Sequence, residues 1–129
     1  MASSINHITF DARDGYALSL FWSKVTGYTE NPEDPNEPGH EEHFIGPAGG
    51  GSGLLFINVP GDEKTVKNRV HLDLTPDTTR DEEVERLLGL GATVYEDHRR
   101  PDGTGWVTML DPEGNEFCVE RSKAERAKA

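Results

Sequence analysis

The sequence predicts an α+β fold built from two βαβββ modules, and three observations carry that prediction. Two strand-like runs, "SINHITF" (4–10) and "NRVHLDL" (68–74), each set one histidine among alternating aliphatic residues. Each run leads into an amphipathic helix that ends on glycine, and the spacing from His7 to Gly27 and from His71 to Gly91 is twenty positions in both cases. Behind each helix lie short apolar segments bounded by turn residues, which read as strands. Strand, cap, helical stripe and glycine recur in order, the mark of an internal repeat.

In the first module, Ile8, Phe10 and Ala12 alternate with His7, Thr9 and Asp11, a period of two that argues a strand over Ile5–Ala12. Asp14 offers an N-cap oxygen to a helix running to about Thr26. Leu18, Phe21, Trp22 and Val25 follow i, i+3, i+4, i+7 and make one core-facing stripe. Gly27 stands where a left-handed C-terminal residue belongs. Tyr28–Thr29, His43–Ile45 and Gly53–Val59 complete the module as strands. The proline- and acid-rich stretch Glu30–His43 reads as a surface loop, with His40 and His43 solvated, and "GPAGGGSG" (46–53) as a flexible turn, since it lacks the strand-to-helix setting of a phosphate loop.

The second module repeats the plan. Val70, Leu72 and Leu74 alternate with His71, Asp73 and Thr75. Thr79 and Glu82 form a capping-box pattern ahead of Val84, Leu87 and Leu88, and Gly89 and Gly91 close the helix. Strands then follow at Ala92–Asp97, Gly105–Leu110 and Asn115–Arg121, separated by the turns "PDGTG" and "DPEGN". Only "PGDEKTVKN" joins the modules, and the terminal "RSKAERAKA" reads as a charged, frayed tail. A module this small cannot bury both faces of its sheet, so residues 1–129 are expected to form one domain, with modules at about 5–60 and 68–121.

Composition limits the partners. With 129 residues and a formal net charge of -11, the chain repels phosphate backbones and anionic lipid headgroups, which argues against nucleic acid and membrane surfaces. No apolar stretch approaches a membrane span, and no secretory leader is legible in "MASSINHITF". Cys118 is the single cysteine, so no internal disulfide forms and a reducing cytoplasm is the expected location.

The stretches "INHITFDARD", "LFWSKVTGY", "RVHLDL" and "WVTMLDPEGNEFCVE" resemble the vicinal oxygen chelate superfamily, which includes glyoxalase I, fosfomycin-resistance transferases, bleomycin-resistance proteins and extradiol dioxygenases. The resemblance covers Ile5 to Arg121 and is strongest to a glyoxalase-like subgroup with "LLFxxVP", "KNRxHLDL" and "DPEGNEFCV". It implies a cup-shaped eight-stranded mixed sheet around a ligand cavity, helices outside, and homodimers as a recurrent assembly. His7, Thr9, Asp11, His71, Asp73 and Thr75 would then face the concavity.

In metal-using members of that superfamily, one histidine comes from the first strand, one from the fifth and a carboxylate from the last. The resemblance thus makes His7 and His71 candidate metal ligands, for Fe, Mn, Ni or Zn. Such a set leaves open positions where a Lewis acid can bind vicinal substrate oxygens. The third position departs from the pattern: Cys118 occupies it. Glu120 lies two residues on, roughly 7 Å along a strand that rises ~3.3 Å per residue. Glu120 or a Cys118 thiolate would complete the set. The carboxylate that glyoxalase I takes from the first module is missing at Phe56 and Asn58, which disfavours that activity.

Two functions therefore stay open. One is a metal-dependent lyase, isomerase or oxygenase acting on a small oxygenated molecule. The other is metal-free binding or sequestration of a small ligand, as in bleomycin-resistance proteins. For either, Phe56 and Trp106 are expected as apolar walls, and Thr9, Asn58 and Asp73, with Cys118, as orienting polar contacts.

Overall fold

The twenty-residue echo of the sequence is present in the backbone. In the computed structural model, which describes residues 2–61 and 63–128, the chain divides into two compact units, Met1–Glu63 and Lys64–Ala129. Asp62, in the short junction between the modules, lies outside the described residues.

The first unit contains β1 (His7–Ala12), α1 (Gly15–Thr26), β2 (Glu42–Ile45) and β3 (Gly53–Asn58). Its sheet has the order β1-β3-β2, with β3 parallel to β1 and antiparallel to β2. Asp14 caps α1, its carboxylate accepting the Ala17 N–H at 3.1 Å, and Gly27 ends the helix at φ 76°. Leu18, Phe21 and Trp22 are buried as the helical stripe requires, and α1 packs on all three strands. The strand expected at Tyr28–Thr29 is reduced to a single bridge between Thr29 and Gly46.

The second unit contains β4 (Leu72–Leu74), α2 (Arg80–Leu90), β5 (Thr93–Asp97), β6 (Val107–Leu110), β7 (Glu116–Val119) and α3 (Lys123–Ala127). Its sheet has the order β4-β7-β6-β5, with β4 and β7 parallel and the other pairs antiparallel. The Thr79 hydroxyl accepts the Glu82 N–H at 3.1 Å, and Gly91 ends α2 at φ 113°, the counterpart of Gly27. Both units are thus α+β, each with one helix between its first strand and the remaining ones.

Three local expectations are corrected. Val70 lies outside β4 and is 76% exposed, because the segment 64–68 is tied to Glu116 instead of extending the strand. The terminal segment is not frayed at its start: Ser122 and Glu125 form a reciprocal capping box, and the Glu125 carboxylate also accepts the Arg80 N–H at 2.7 Å. His43 is fully buried, not solvated, with Nε2 bonded to the Glu37 carbonyl at 2.8 Å.

Candidate functional site

The pleat of the second sheet sorts its residues. Leu72, Leu74, Phe117, Val119, Val107 and Met109 share one face by register, and α2 packs against β5 and β7. Alternation sends Asp73, Cys118, Glu120, Thr108 and Trp106 to the opposite face. There a cavity of about 750 Å³ is lined by these residues together with His71 and His98.

At the floor of this cavity, Asp73 stands opposite Cys118 in the parallel β4–β7 pair, and Thr108 stands opposite Cys118 in the antiparallel β6–β7 pair. The Thr108 hydroxyl and the Cys118 sulfur are 3.5 Å apart, and His71 Nδ1 lies 3.2 Å from an Asp73 carboxylate oxygen. Among the described residues, His71, Asp73 and Cys118 each offer one ligand atom within 4.8 Å of the others. Imidazole, carboxylate and thiol on neighbouring strands form a donor set that one divalent cation can bridge after small side-chain rotations.

Electrostatics refine that set. Burial pushes the Cys118 thiol up; the Thr108 hydrogen bond opposes this, while the Asp73 and Glu120 charges add to it. The sulfur therefore rests as a neutral thiol and becomes a ligand only when a cation displaces its proton. Glu120 lines the same cavity, but its carboxylate accepts a hydrogen bond from the Arg126 guanidinium. Glu116 is more deeply placed. Burial raises its carboxyl, yet the Asn68 N–H and the Lys64 ammonium more than offset this and hold it below the usual range.

Trp106, 36% exposed, forms the apolar wall of the cavity. His98 stacks on its indole at 4.6 Å between centroids, and the Arg100 guanidinium lies 5.8 Å from the ring centroid. The loop before it is fixed from behind: the buried Arg80 side chain donates to the carbonyls of Gly103, Thr104 and Gly105 at 3.2, 3.1 and 3.0 Å.

In the first unit, Phe56 and Asn58 depart from the expectation. His7 and Thr9 lie on the sheet face away from α1, with His7 edge-on to Phe44 at 6.3 Å. Phe56 and Asn58 are turned to the other face, because their register partners are Phe10 and Ala12. Phe56 is wholly buried and stacked on Phe10 at 5.3 Å. Asn58 is occupied: it accepts the Gly15 N–H at 2.6 Å and donates to the His40 carbonyl at 3.0 Å. Asn58 holds the start of α1 and Phe56 packs in the core on Phe10, so both are corrected from cavity contacts to structural groups.

Sequence reasoning also passed over His98, Lys67, Arg100, Arg121 and Arg126, all of which line the cavity. A signal for the cations was available. Only Arg13 and Lys24 precede residue 64, which leaves eleven of the 13 lysines and arginines in the second unit, Lys64–Ala129.

A βαββ unit, a βαβββ unit and a cavity on the open face of the second unit's mixed sheet define a protein of glyoxalase type. A glyoxalase-like domain model matches residues 7–120, and the chain belongs to that family. Solved structures share the fold. A mutant of the fosfomycin resistance protein FosX from Listeria monocytogenes, complexed with Mn(II) and 1S,2S-dihydroxypropylphosphonic acid, is 22% identical with a TM-score of 0.67, over 99% of this chain and 98% of that one. A glyoxalase/bleomycin resistance protein/dioxygenase family enzyme from Burkholderia phytofirmans PsJN is 21% identical with a TM-score of 0.65, over 91% and 97%. A glyoxalase-related enzyme from Fulvimarina pelagi is 19% identical with a TM-score of 0.65, over 92% and 88%. No curated protein matches the chain. No helix among the described residues is long and apolar enough to cross a membrane.

Proposed function

We propose that this glyoxalase-like protein acts on a small oxygenated molecule held in the cavity of its second module, with a divalent cation at His71. The observation that carries this reading is the convergence of His71, Asp73 and Cys118 donor atoms within 4.8 Å on the cavity floor. When bound, the cation would supply Lewis acidity to a substrate oxygen, the chemistry common to lyases, isomerases and oxygenases of this kind. Asp73 orients the His71 imidazole through their 3.2 Å hydrogen bond, and Trp106 supplies the wall that shields the bound molecule from water. Glu120 joins the ligand set if it leaves Arg126, and His7 remains the first module's candidate ligand. The Mn(II) in the FosX relative supports this choice of chemistry.

The same reading takes residues 1–129 as one domain that works in the cytoplasm as a homodimer. A second reading, metal-free binding of a small molecule, is favoured by one observation: the Glu120 carboxylate is engaged by Arg126.

Metal analysis of protein purified without chelator separates the two. Stoichiometric metal in the wild type, lost in His71→Ala and changed in identity in Cys118→Ser while their melting curves stay cooperative, is the expected result. His7→Ala and Glu120→Gln, run alongside, decide whether those residues contribute. Wild-type protein that takes up none of Mn, Fe, Ni or Zn overturns the metal reading and leaves the binding one.

A further inference from the structure

Residues 64–70 lead into β4 as a strap without a strand partner, and Lys67 within them lines the cavity. Among the described residues, no backbone–backbone hydrogen bond ties the strap to a strand. Its two apolar side chains do not hold it either, since Val66 and Val70 are 75% and 76% exposed. What holds it is the start of β7. The buried Glu116 carboxylate accepts the Asn68 N–H at 3.0 Å and pairs with the Lys64 ammonium at 3.0 Å. The Asn68 side-chain amide donates to Asn115 Oδ1 at 2.9 Å. Asn115 is fixed in turn by the Asp111 carboxylate, which accepts its backbone N–H and its side-chain amide at 2.9 Å each. Two stretches far apart in the chain, "KNRVHLDL" and "DPEGNEFCV", thus meet at Asn68.

We infer that Glu116 is a positioning residue for His71: by anchoring the strap at Lys64 and Asn68, it sets where the imidazole enters the cavity. The inference rests on the reading that His71 belongs to the ligand site, and not on the presence of a metal. Between Asn68 and β4 the chain is exposed, through Arg69, Val70 and His71 itself. His71 stands one residue ahead of β4, and its imidazole is held by Asp73 at 3.2 Å. The ladder fixes the chain only from Leu72 on, so a shift of Asn68, three residues upstream, passes to the His71 backbone. Glu116 is suited to the task. Its two carboxylate oxygens serve one anchor each, the bonds are charge-assisted, and burial keeps water from competing for them.

Hydrogen exchange and histidine NMR, both with EDTA present throughout, test this. In Glu116→Ala, amide exchange over 65–71 should rise about tenfold or more, as expected when an otherwise unsupported segment loses charge-assisted anchors. Exchange in β6 should stay as in the wild type. The ring signals of His71, assigned with a His71→Ala spectrum, should move, while those of His98, which lines the same cavity beyond β5, should stay. Glu116→Gln keeps an oxygen for the Asn68 N–H and loses the Lys64 pair, so the His71 signals should return most of the way to their wild-type positions. Lys64→Met removes the second anchor alone and should give a smaller rise in exchange than Glu116→Ala.

A Glu116 that only stabilises the hairpin predicts a lower melting temperature with the His71 signals in place, and that result overturns the inference. Unchanged exchange over 65–71 overturns it too, as does an equal displacement of the His98 and His71 signals. If Glu116→Ala does not fold, Glu116→Gln and Lys64→Met give the decision: wild-type exchange over 65–71 in both overturns it. Unmoved His71 signals in a folded Glu116→Ala that still takes up metal as the wild type does would refute the positioning role alone. Wild-type protein that takes up no metal, with the His71 signals displaced in Glu116→Ala, would refute the metal alone.

Discussion

Asp73 and Cys118 face one another across the parallel β4–β7 pair, and the imidazole of His71 reaches the same carboxylate at 3.2 Å. The carboxylate therefore orients one ligand and can serve as another. Asp73→Asn should weaken metal binding about 10- to 100-fold, the range found when such orienting partners are lost, with little change in melting temperature. Cys118→Ser should move the preference from zinc toward manganese, since a soft sulfur donor is exchanged for a hard oxygen. Competition titrations with a chromophoric chelator measure both. Unchanged affinity in Asp73→Asn would place that residue outside the site.

Arg80 organises the approach to Trp106. Its guanidinium is buried and donates to three successive carbonyls of residues 103–105, while Asp81 pairs with it at 3.1 Å. Arg80→Ala removes these donors and empties the buried space that the Arg80 side chain fills. A loss of about 2–4 kcal/mol is expected in urea denaturation. Proteolysis within 101–105 should accelerate in the same variant. A loss below about 0.5 kcal/mol would mean that the loop holds itself.

What the sequence made legible, and what it hid, follows from the range of the interactions. Caps and periodicity are local, so Asp14, Gly27, Thr79 and Gly91 marked both helices within a residue or so. The alternation of Asp73 with Leu72 and Leu74, and of Cys118 with Phe117 and Val119, assigned the open face of the second sheet. The face of Phe56 and Asn58 was misjudged because it depends on their parallel register with Phe10 and Ala12, across more than forty residues. Arg80 and His98 gave no local signal at all. Their partners are loop carbonyls and an indole, which only tertiary structure brings into range.

Acid should loosen the clasp around Arg99. Hydrogen bonds from the Arg99 side chain and backbone hold the Asp97 carboxyl down at about 2, against an ordinary value of 3.8. Asp81 is also held below its usual range: the hydrogen bonds and charges of Arg80 and Arg99 together outweigh its desolvation. A carboxyl depressed in the folded state stabilises above its unfolded pKa and loses that contribution as pH falls through the folded one. The contribution is therefore complete above about pH 4 and declines toward about pH 2. Because these side chains are largely exposed, the loss is expected to be about 1 kcal/mol or less. Comparing acid melts of wild type and Asp97→Asn tests this, and the two curves should converge near pH 2.

Two glycines should respond to alanine in opposite directions. A Cβ at Gly15 would lie 2.7 Å from Asn58 Oδ1, 3.1 Å from His43 Nδ1 and 3.2 Å from the Phe56 carbonyl oxygen. Asn58 cannot simply swing aside, because it accepts the Gly15 N–H and donates to His40. Gly15→Ala should therefore cost about 1–3 kcal/mol through overpacking and a broken cap contact. Gly89 lies inside α2, has nothing within 4 Å of its absent Cβ, and is not among the positive-φ glycines. Gly89→Ala should stabilise by about 0.5–1 kcal/mol, because alanine has the higher helix propensity and restricts the unfolded chain. Thermal melts of the two variants beside wild type give the answer. A destabilising Gly89→Ala would show that something not visible in α2 opposes the methyl group, and a neutral Gly15→Ala would show that the Asn58 contact to α1 yields easily.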